Sequence, residues 1–417
     1  VTRKTMMNVR VCVVTAGHLS TCPRMLKAAD ALAGAGYDVR VVSTNHTPWA
    51  AATDKEVLAT RAWASTVVDY DRDTARATQL ATGVRFQTAR ALSSVLGSWR
   101  VPMPVAIRAY SRIHDELVRA VAAEPADFVY GGTTGALAAV AESAARLRVP
   151  YAIDFEDLHS AEYAPDSEVT NVLAARIERQ VIDGAAFATA GSPMIADAYE
   201  RVYRVRPIPV HNTFSIGAPP ASSECGARPL RLYWFSQTLG SGRGLEDVLR
   251  GIGRMGGAVE LHLRARPIPS YLDELTSLQR EVAPNAHLVR HDPAAPDDMV
   301  RLAQSYDAGL ACEEPSGLSR QFCLANKIFT YLAAGVPVVM SRTPAQARLE
   351  SQLEGAAFGY DCGDVDGIAQ ILSRFSSEPA LRQQAQCAAR RAAERRWHWE
   401  HPEDRGALLA AVAGAIR

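Results

Sequence analysis

Short apolar runs, often β-branched, alternate along most of the chain with longer stretches whose apolar residues recur every three or four positions. That is the pattern of strand followed by helix. Residues 8–15 (NVRVCVVT) predict a buried strand, and 39–43 predict the next one. Between them, 23–36 predict a helix with Met25, Leu26, Ala29, Leu32 and Ala33 on one face. Two strands joined through a helix imply a parallel sheet. Residues 47–104 hold helical segments and Trp49, Trp63 and Trp99, but give no clear order. The alternation resumes with a helix over 107–122. Strands follow over 128–131, 150–155 and 185–190, with helices over 135–147, 169–183 and 193–202.

Residues 214–229 (FSIGAPPASSECGARP) lack apolar periodicity and are rich in Pro, Gly, Ser and Ala, which reads as a linker. Beyond it, strands over 230–235, 259–264, 287–290 and 308–311 alternate with helices over 245–251, 271–282 and 296–305. A helix opening at Asn326 carries Ile328, Phe329, Tyr331 and Leu332 at helical spacing. It stops at Gly335 and runs into a strand at 336–340, and helices fill the rest. The expected fold class is α/β. Two Rossmann-like βαβ domains, residues 1–213 and 230–402, face a central cleft, and the last helix, 403–417, packs back on the first. Ligands of open α/β sheets bind beyond the carboxyl ends of the strands. No Gly-x-Gly-x-x-Gly is present, so the dinucleotide fingerprint is absent.

A length of 417 residues suits two domains, each with its own core. The formal net charge of zero gives no electrostatic footprint for nucleic acid, so no nucleic-acid partner is expected. The seven cysteines (12, 22, 225, 312, 323, 362, 387) form no Cys-x-x-Cys pair. They read as reduced thiols of a cytoplasmic protein without a structural metal. No apolar run approaches the roughly 20 residues of a membrane span, and residues 1–7 pass into the first strand without the features of a signal peptide.

Two stretches offer anion chemistry. The helix opening at Asn326-Lys327 presents free backbone N–H groups beside a cation. Residues 236–247 (SQTLGSGRGLED) set Gly240, Gly242 and Gly244 ahead of another helix, where glycines allow close backbone approach. Arg243 within this loop can fork onto two phosphate oxygens.

The order Asn326-Lys327-x-Phe329-x-Tyr331-Leu332-Ala333-Ala334-Gly335-x-Pro337-Val338-Val339 resembles the donor-binding element of nucleotide-sugar glycosyltransferases of the two-domain GT-B fold, of the retaining family 4 type. The strand, loop, Arg243 and Gly244 are similar to that family's first diphosphate-binding loop. The resemblance implies that Gly242, Arg243 and Lys327 clamp the diphosphate of a nucleotide-sugar co-substrate, with no cofactor and no metal. It places Asn326, Arg266 and His291 on the nucleoside and sugar side. The family's two glutamates, seven residues apart, fall here at Phe322 and Thr330. Thr330 offers one hydroxyl where a carboxylate normally holds the ribose, and Glu313 or Glu314 stands in for the first glutamate.

In the first half, the resemblance implies that Gly17 lets the chain approach donor phosphate or acceptor. His18 is an acid/base candidate because its pKa lies near working pH. Arg24 and Lys27 would meet an anionic acceptor. Residues 154–159 (DFEDLH) carry Glu156 where relatives have a histidine, and Glu156 or Asp157 would bind a sugar hydroxyl or position the acceptor. Ser192-Pro193 reads as a helix cap. The function implied is transfer with retention, the departing phosphate oxygen taking the acceptor proton. An epimerase of the same fold and a catalytically weak partner subunit are the competing readings. The acceptor is open among a small molecule, a lipid-linked sugar and a polysaccharide. A lipid-linked one would bring peripheral membrane contact, although no strongly basic amphipathic helix stands out.

Overall fold

The computed structural model describes residues 9–162, 168–218 and 228–417. The chain divides into two compact units, Val1–His211 with Pro402–Arg417, and Asn212–His401.

Unit 1 is built on strands β1 (Arg10–Thr15), β2 (Asp38–Asn45), β3 (Ala64–Asp69), β4 (Phe128–Gly132), β5 (Tyr151–Phe155), β6 (Phe187–Ala190) and β7 (Ile208–Pro209). They pair in the order β3-β2-β1-β4-β5-β6-β7, all parallel. The central strands are buried along almost their whole length, which is why they read as continuous apolar runs rather than alternating ones. Chain order reverses between β1 and β4, so the loops after these two strands flank a topological switch point. Thr133, held at φ 78° after β4, ties them together by accepting the Ala16 N–H at 3.2 Å.

Unit 2 carries β8 (Leu230–Leu239), β9 (Val259–Pro267), β10 (Ala286–His291), β11 (Ala308–Ala311), β12 (Val338–Ser341) and β13 (Ala357–Tyr360). Their order is β10-β9-β8-β11-β12-β13, again parallel, with its switch point between β8 and β11. The helix Asn326–Ala334 is seated on this sheet through Tyr331. Its hydroxyl donates to the carbonyls of Tyr233 and Leu310 at 3.0 and 3.3 Å. Its ring lies where a Cβ at Gly309 would be, 2.3 Å from the nearest ring atom, so β11 needs glycine there.

Four expectations need correction. The helix expected over 107–122 is two helices, Met103–Tyr110 and His114–Ala122. Ser111 between them is extended, and its hydroxyl leaves the helix to bond the Gly135 carbonyl at 2.7 Å. Residues 296–305 form a 3₁₀ turn, Pro296–Asp298, and a short helix, Met299–Ala303. The stretch beyond residue 341 is not all helix, because β13 closes the sheet edge. Finally, the start of the expected linker is anchored within unit 2. Phe214 accepts from the Trp399 N–H, Gly217 N–H donates to Ala333, and Arg390 donates to Gly217 O. Residues 219–227, with Cys225, lie outside the described residues.

The C-terminal segment belongs to unit 1 through one buried carboxylate. Asp404 accepts both the backbone N–H and the ring Nδ1 of His211, at 2.8 and 2.9 Å. A π-turn, Pro402–Gly406, then leads into the helix Ala407–Ala415. Ser192 caps its helix by accepting from the Ile195 N–H.

Candidate functional site

The unit 2 site grows from three loops at the switch point, those after β8, β11 and β12. The first contains Gly242 and Gly244, both in the left-handed region at φ 74° and 68°. A Cβ at Gly244 would also meet the Cys312 carbonyl at 2.7 Å, so only glycine fits on both counts. This turn starts the helix Leu245–Met255 and lets the Gly244 N–H reach Glu314 Oε1 at 3.3 Å.

The centre of the site is Glu313. Its Oε1 accepts from Lys327 Nζ at 2.6 Å, and its Oε2 lies 3.2 Å from Arg243 and 3.5 Å from Arg320. Ser341, at the end of β12, fixes the Glu313 carbonyl at 2.7 Å and is itself held by Gln346. Burial alone would raise the Glu313 pKa. The charges of Lys327 and Arg243, with the lysine hydrogen bond and Arg320, overrule burial and bring it down to about 2. Lys327 is nearly buried and lies 5.5 Å from the Trp234 ring centroid. It stands in the first turn of a nine-residue helix whose N-cap, Ala325, has no capping side chain. Three cations thus converge on one carboxylate beside an uncapped helix end, and the three together carry two more charges than Glu313 neutralises.

Gly242, Arg243, Glu313, Glu314 and Lys327 are brought together here, with Asn326 at the start of the same helix. Arg320 belongs to the cluster and escaped the sequence reading. It sits in the short helix Leu318–Phe322, between the two legible motifs, and also donates to the Gly242 carbonyl at 3.1 Å. Its one sequence signal is a cation seven residues past Glu313.

Other expected residues lie elsewhere or are occupied. Thr330 is fully buried and gives its hydroxyl to the Asn326 carbonyl at 3.2 Å, so it presents no hydroxyl to a ribose. Arg266 is exposed near the end of β9, opposite Thr238. His291 ends β10 and stacks on His262, with Nε2 2.9 Å from His262 Nδ1. Burial lowers the pKa of both imidazoles; Arg231 adds to this at both and Arg264 at His291, the bond to Glu260 opposes it at His262, and a neutral pair can share one ring proton.

In unit 1, the acid/base candidate His18 is not placed to exchange a proton with a substrate. His18 is buried. Its Nε2 accepts from the backbone N–H groups of His46 and Thr47 at 3.1 and 3.0 Å, and its Nδ1–H points to Asp54 at 2.8 Å. Asp54 also accepts the Ser20 N–H at 2.7 Å. Both ring nitrogens are spent on the fold, leaving none for a substrate proton. Neighbouring Gly17 is unforced, since a Cβ there would find its nearest atom 3.7 Å away.

Arg24, expected to face an anionic acceptor, is instead buried against Asp154 in a two-pronged pair of 2.8 and 2.5 Å, its remaining prong on Val210 O. Glu156 and Asp157 follow directly after β5, both half-buried. Burial pushes the Glu156 carboxyl up. Arg24 opposes this, but Asp157 and Asp154 add to it, and it reaches about 7. His159, two residues beyond Asp157, has Nδ1 3.2 Å from Glu162 and 3.4 Å from Thr134. Burial opposes its protonation, but Glu162, Glu178 and Asp157 outweigh burial and lift it to about 9.

Glu156 has a testable signature. A carboxyl whose folded pKa exceeds its unfolded value holds its proton more tightly when folded. Its stabilising contribution is therefore present below about pH 4.3 and is lost as pH rises through about 7. Glu156→Gln is expected to make the protein more stable at pH 8, by on the order of 2 kcal/mol, with little change at pH 4. Urea titrations of both proteins at the two pH values read this directly, and equal differences at both would refute it.

Among the described residues no cluster of three His, Cys, Asp or Glu could hold a metal ion, and the described cysteines form no disulfide. No helix among them is long and apolar enough to cross a membrane.

A family model described as a glycosyl transferase 4-like domain matches residues 23–212, and one described as glycosyl transferase-like matches 269–404. Among solved structures, HepE from Anabaena, in complex with UDP and glucose, has a TM-score of 0.68 at 14% identity, covering 98% of this chain and 99% of that one. Sucrose-phosphate synthase from Thermosynechococcus elongatus has a TM-score of 0.65 at 11% identity, covering 98% and 100%. A glycosyltransferase from Rickettsia africae has 0.63 at 10%, covering 98% of each. At such identities the likeness is one of fold. No curated protein matches the chain.

Proposed function

Because the chain belongs to the nucleotide-sugar glycosyltransferases of the GT-B fold, we propose that it transfers a sugar from a nucleoside-diphosphate donor to an acceptor hydroxyl with retention at the anomeric carbon. The observation that carries the donor side is the convergence of Arg243, Lys327 and Arg320 on Glu313 beside the Gly242–Gly244 turn and the open end of the Asn326 helix. A diphosphate brings the charge this cluster lacks. As the sugar–phosphate bond breaks, negative charge grows on the departing oxygen, and fixed cations nearby stabilise that state more than the ground state.

Glu313 is a poor base, because a carboxylate held at about 2 takes up no proton near neutrality. The acceptor's proton then goes to the departing phosphate oxygen on the same face of the sugar, which gives retention without a protein nucleophile. On the acceptor side we assign Glu156 and Asp157, at the end of β5, to sugar or acceptor hydroxyls. A carboxyl near 7 can both donate and accept a hydrogen bond at working pH. Gly17, unforced by its neighbours, leaves room for a ligand's approach.

The test is a calorimetric titration with UDP, GDP, ADP and dTDP, using wild type and Lys327→Ala. One nucleotide is expected to bind tightly to the wild type and at least tenfold more weakly to the variant. If none binds, the donor assignment fails. The anomeric configuration of the product, read from proton NMR couplings with the selected donor, decides retention.

A further inference from the structure

The helix Arg76–Leu96 in unit 1 is packed inside out. Its buried positions are small or polar: Thr82, Ala89 and Ser93. They meet a modest cluster of Val101, Ala106, Ala109 and Leu173. Apart from the half-buried Phe86, the large apolar residues point to water. Leu80, Val84, Leu92, Val95 and Leu96, with Trp99 just beyond the helix, make up six of the ten large exposed hydrophobics among the described residues. Val84 is 67% exposed, Val95 82% and Trp99 66%. Residues 80, 84, 88, 91 and 95 recur at helical spacing, and Thr88 and Ala91 are also exposed, so the stripe is one continuous face. A surface helix that turns its apolar face away from its own core needs another apolar phase to cover it.

Charge says which phase. From Thr74 to His114 there is no Asp, Glu or Lys, while six arginines occur (76, 85, 90, 100, 108 and 112). Arg85 is taken by Glu116, and Arg112 by the Gln79 carbonyl and Thr82. Arg76 and Arg100 are exposed and stand at the two ends of the apolar stripe. A second copy of the chain would bring the same arginines against these, with no acid in the segment to pair them. A surface of acyl chains under anionic headgroups satisfies both features, and a tryptophan at the end of the stripe suits the headgroup level.

We propose that the outer face of the helix Arg76–Leu96, with Trp99 and flanked by Arg76 and Arg100, docks unit 1 on an anionic lipid bilayer. The helix lies in the plane of the interface, with Val84 and Val95 inserted and the guanidinium groups at headgroup level. The bilayer replaces the water that the large side chains otherwise face, and the small inner face stays on the protein. Docking of this kind holds the acceptor-side unit where lipid-linked sugars are found. The binding itself needs no donor and no turnover.

Flotation with vesicles tests this apart from activity. Wild type is expected to rise with vesicles of equal parts phosphatidylcholine and phosphatidylglycerol and to stay below with phosphatidylcholine alone. Val84→Asp/Val95→Asp alters two highly exposed positions, so it should fold normally by circular dichroism and lose flotation. Arg76→Gln/Arg100→Gln should bind roughly 25-fold more weakly, at about fivefold per arginine near an anionic surface. The proposal is overturned if wild type floats with neither vesicle or equally with both, or if the Val84→Asp/Val95→Asp protein still floats. A wild-type dimer by light scattering that this variant dissolves, without vesicle binding, would assign the face to self-association instead.

Discussion

Replacing Lys327 with alanine is expected to lower kcat/KM for the selected donor by about 10²–10³-fold, the usual cost of removing one fixed donor that faces charge developing in the transition state. The surroundings of the lysine suit the proposed donor contact. It is nearly buried, stands in the first turn of an uncapped helix, and is 2.6 Å from Glu313. When a diphosphate arrives, the ammonium already lies near the helix end and loses little further freedom. Glu313 keeps Arg243 and Arg320 in the variant, so the loss of stability should stay near 2 kcal/mol, and assays below the variant's Tm isolate the catalytic effect. Arg243→Ala should show a similar but smaller fall, because that side chain is more exposed and its guanidinium is better screened. Turnover within threefold of wild type in Lys327→Ala would remove the lysine from the donor site.

The same cluster shows what a sequence can and cannot disclose. The strands of both units announce themselves because parallel strands buried on two faces are unbroken apolar runs, and 308–311 is placed to the residue. Gly244, Arg243 and Lys327 are legible because glycine before a helix and a cation in its first turn are local signals. Arg320 is not, since its partners, Glu313 and the Gly242 carbonyl, come from other loops that only the folded sheet brings together. Thr330 misleads for the converse reason. Its position matches a functional one, but its hydroxyl turns back onto Asn326, four residues earlier. His18 looks exposed as a loop residue. Only the folded chain supplies the two backbone donors from residues 46 and 47 that occupy its Nε2. The helix Arg76–Leu96 was illegible because periodicity shows where an apolar face is, not which way it points.

Two glutamates carry opposite electrostatics, and their environments explain it. Glu313 is surrounded by three cations and stays ionised to about pH 2. Glu156 sits among Asp154 and Asp157, with Arg24 already committed to Asp154, and holds its proton to about 7. Groups of one type pushed apart in this way take different tasks. In the proposed reaction the first would organise cations for a leaving diphosphate, and the second would meet neutral hydroxyls. Acid should therefore disturb the donor cluster only as pH falls from about 4.3 toward 2, whereas alkali acts on the acceptor side, through Glu156 near 7 and His159 near 9.

Arg24→Met should be among the most destabilising single changes in unit 1, costing about 3–5 kcal/mol in urea unfolding, the range for breaking a buried ion pair by removing one partner. Arg24 and Asp154 are both nearly excluded from water. Burial alone would lower the guanidinium pKa, yet the Asp154 charge and its hydrogen bonds outweigh that and raise it above its ordinary value. Removing the guanidinium leaves Asp154, among the described residues, with the Thr189 hydroxyl at 2.5 Å, and strips the Val210 carbonyl of a donor at 2.6 Å. The effect should reach the proposed acceptor side, because Asp154 is the penultimate residue of β5 and Glu156 follows that strand directly. Asp154→Leu combined with Arg24→Met should recover part of the loss, since no uncompensated charge is then buried. The Glu156 carboxyl should rise further in the double variant, because Arg24 lowers it by more than the neighbouring Asp154 charge raises it. The infrared carboxyl band followed against pH reads that balance. A loss under 1 kcal/mol in Arg24→Met would mean that water reaches Asp154 and that the end of β5 is not held by this pair.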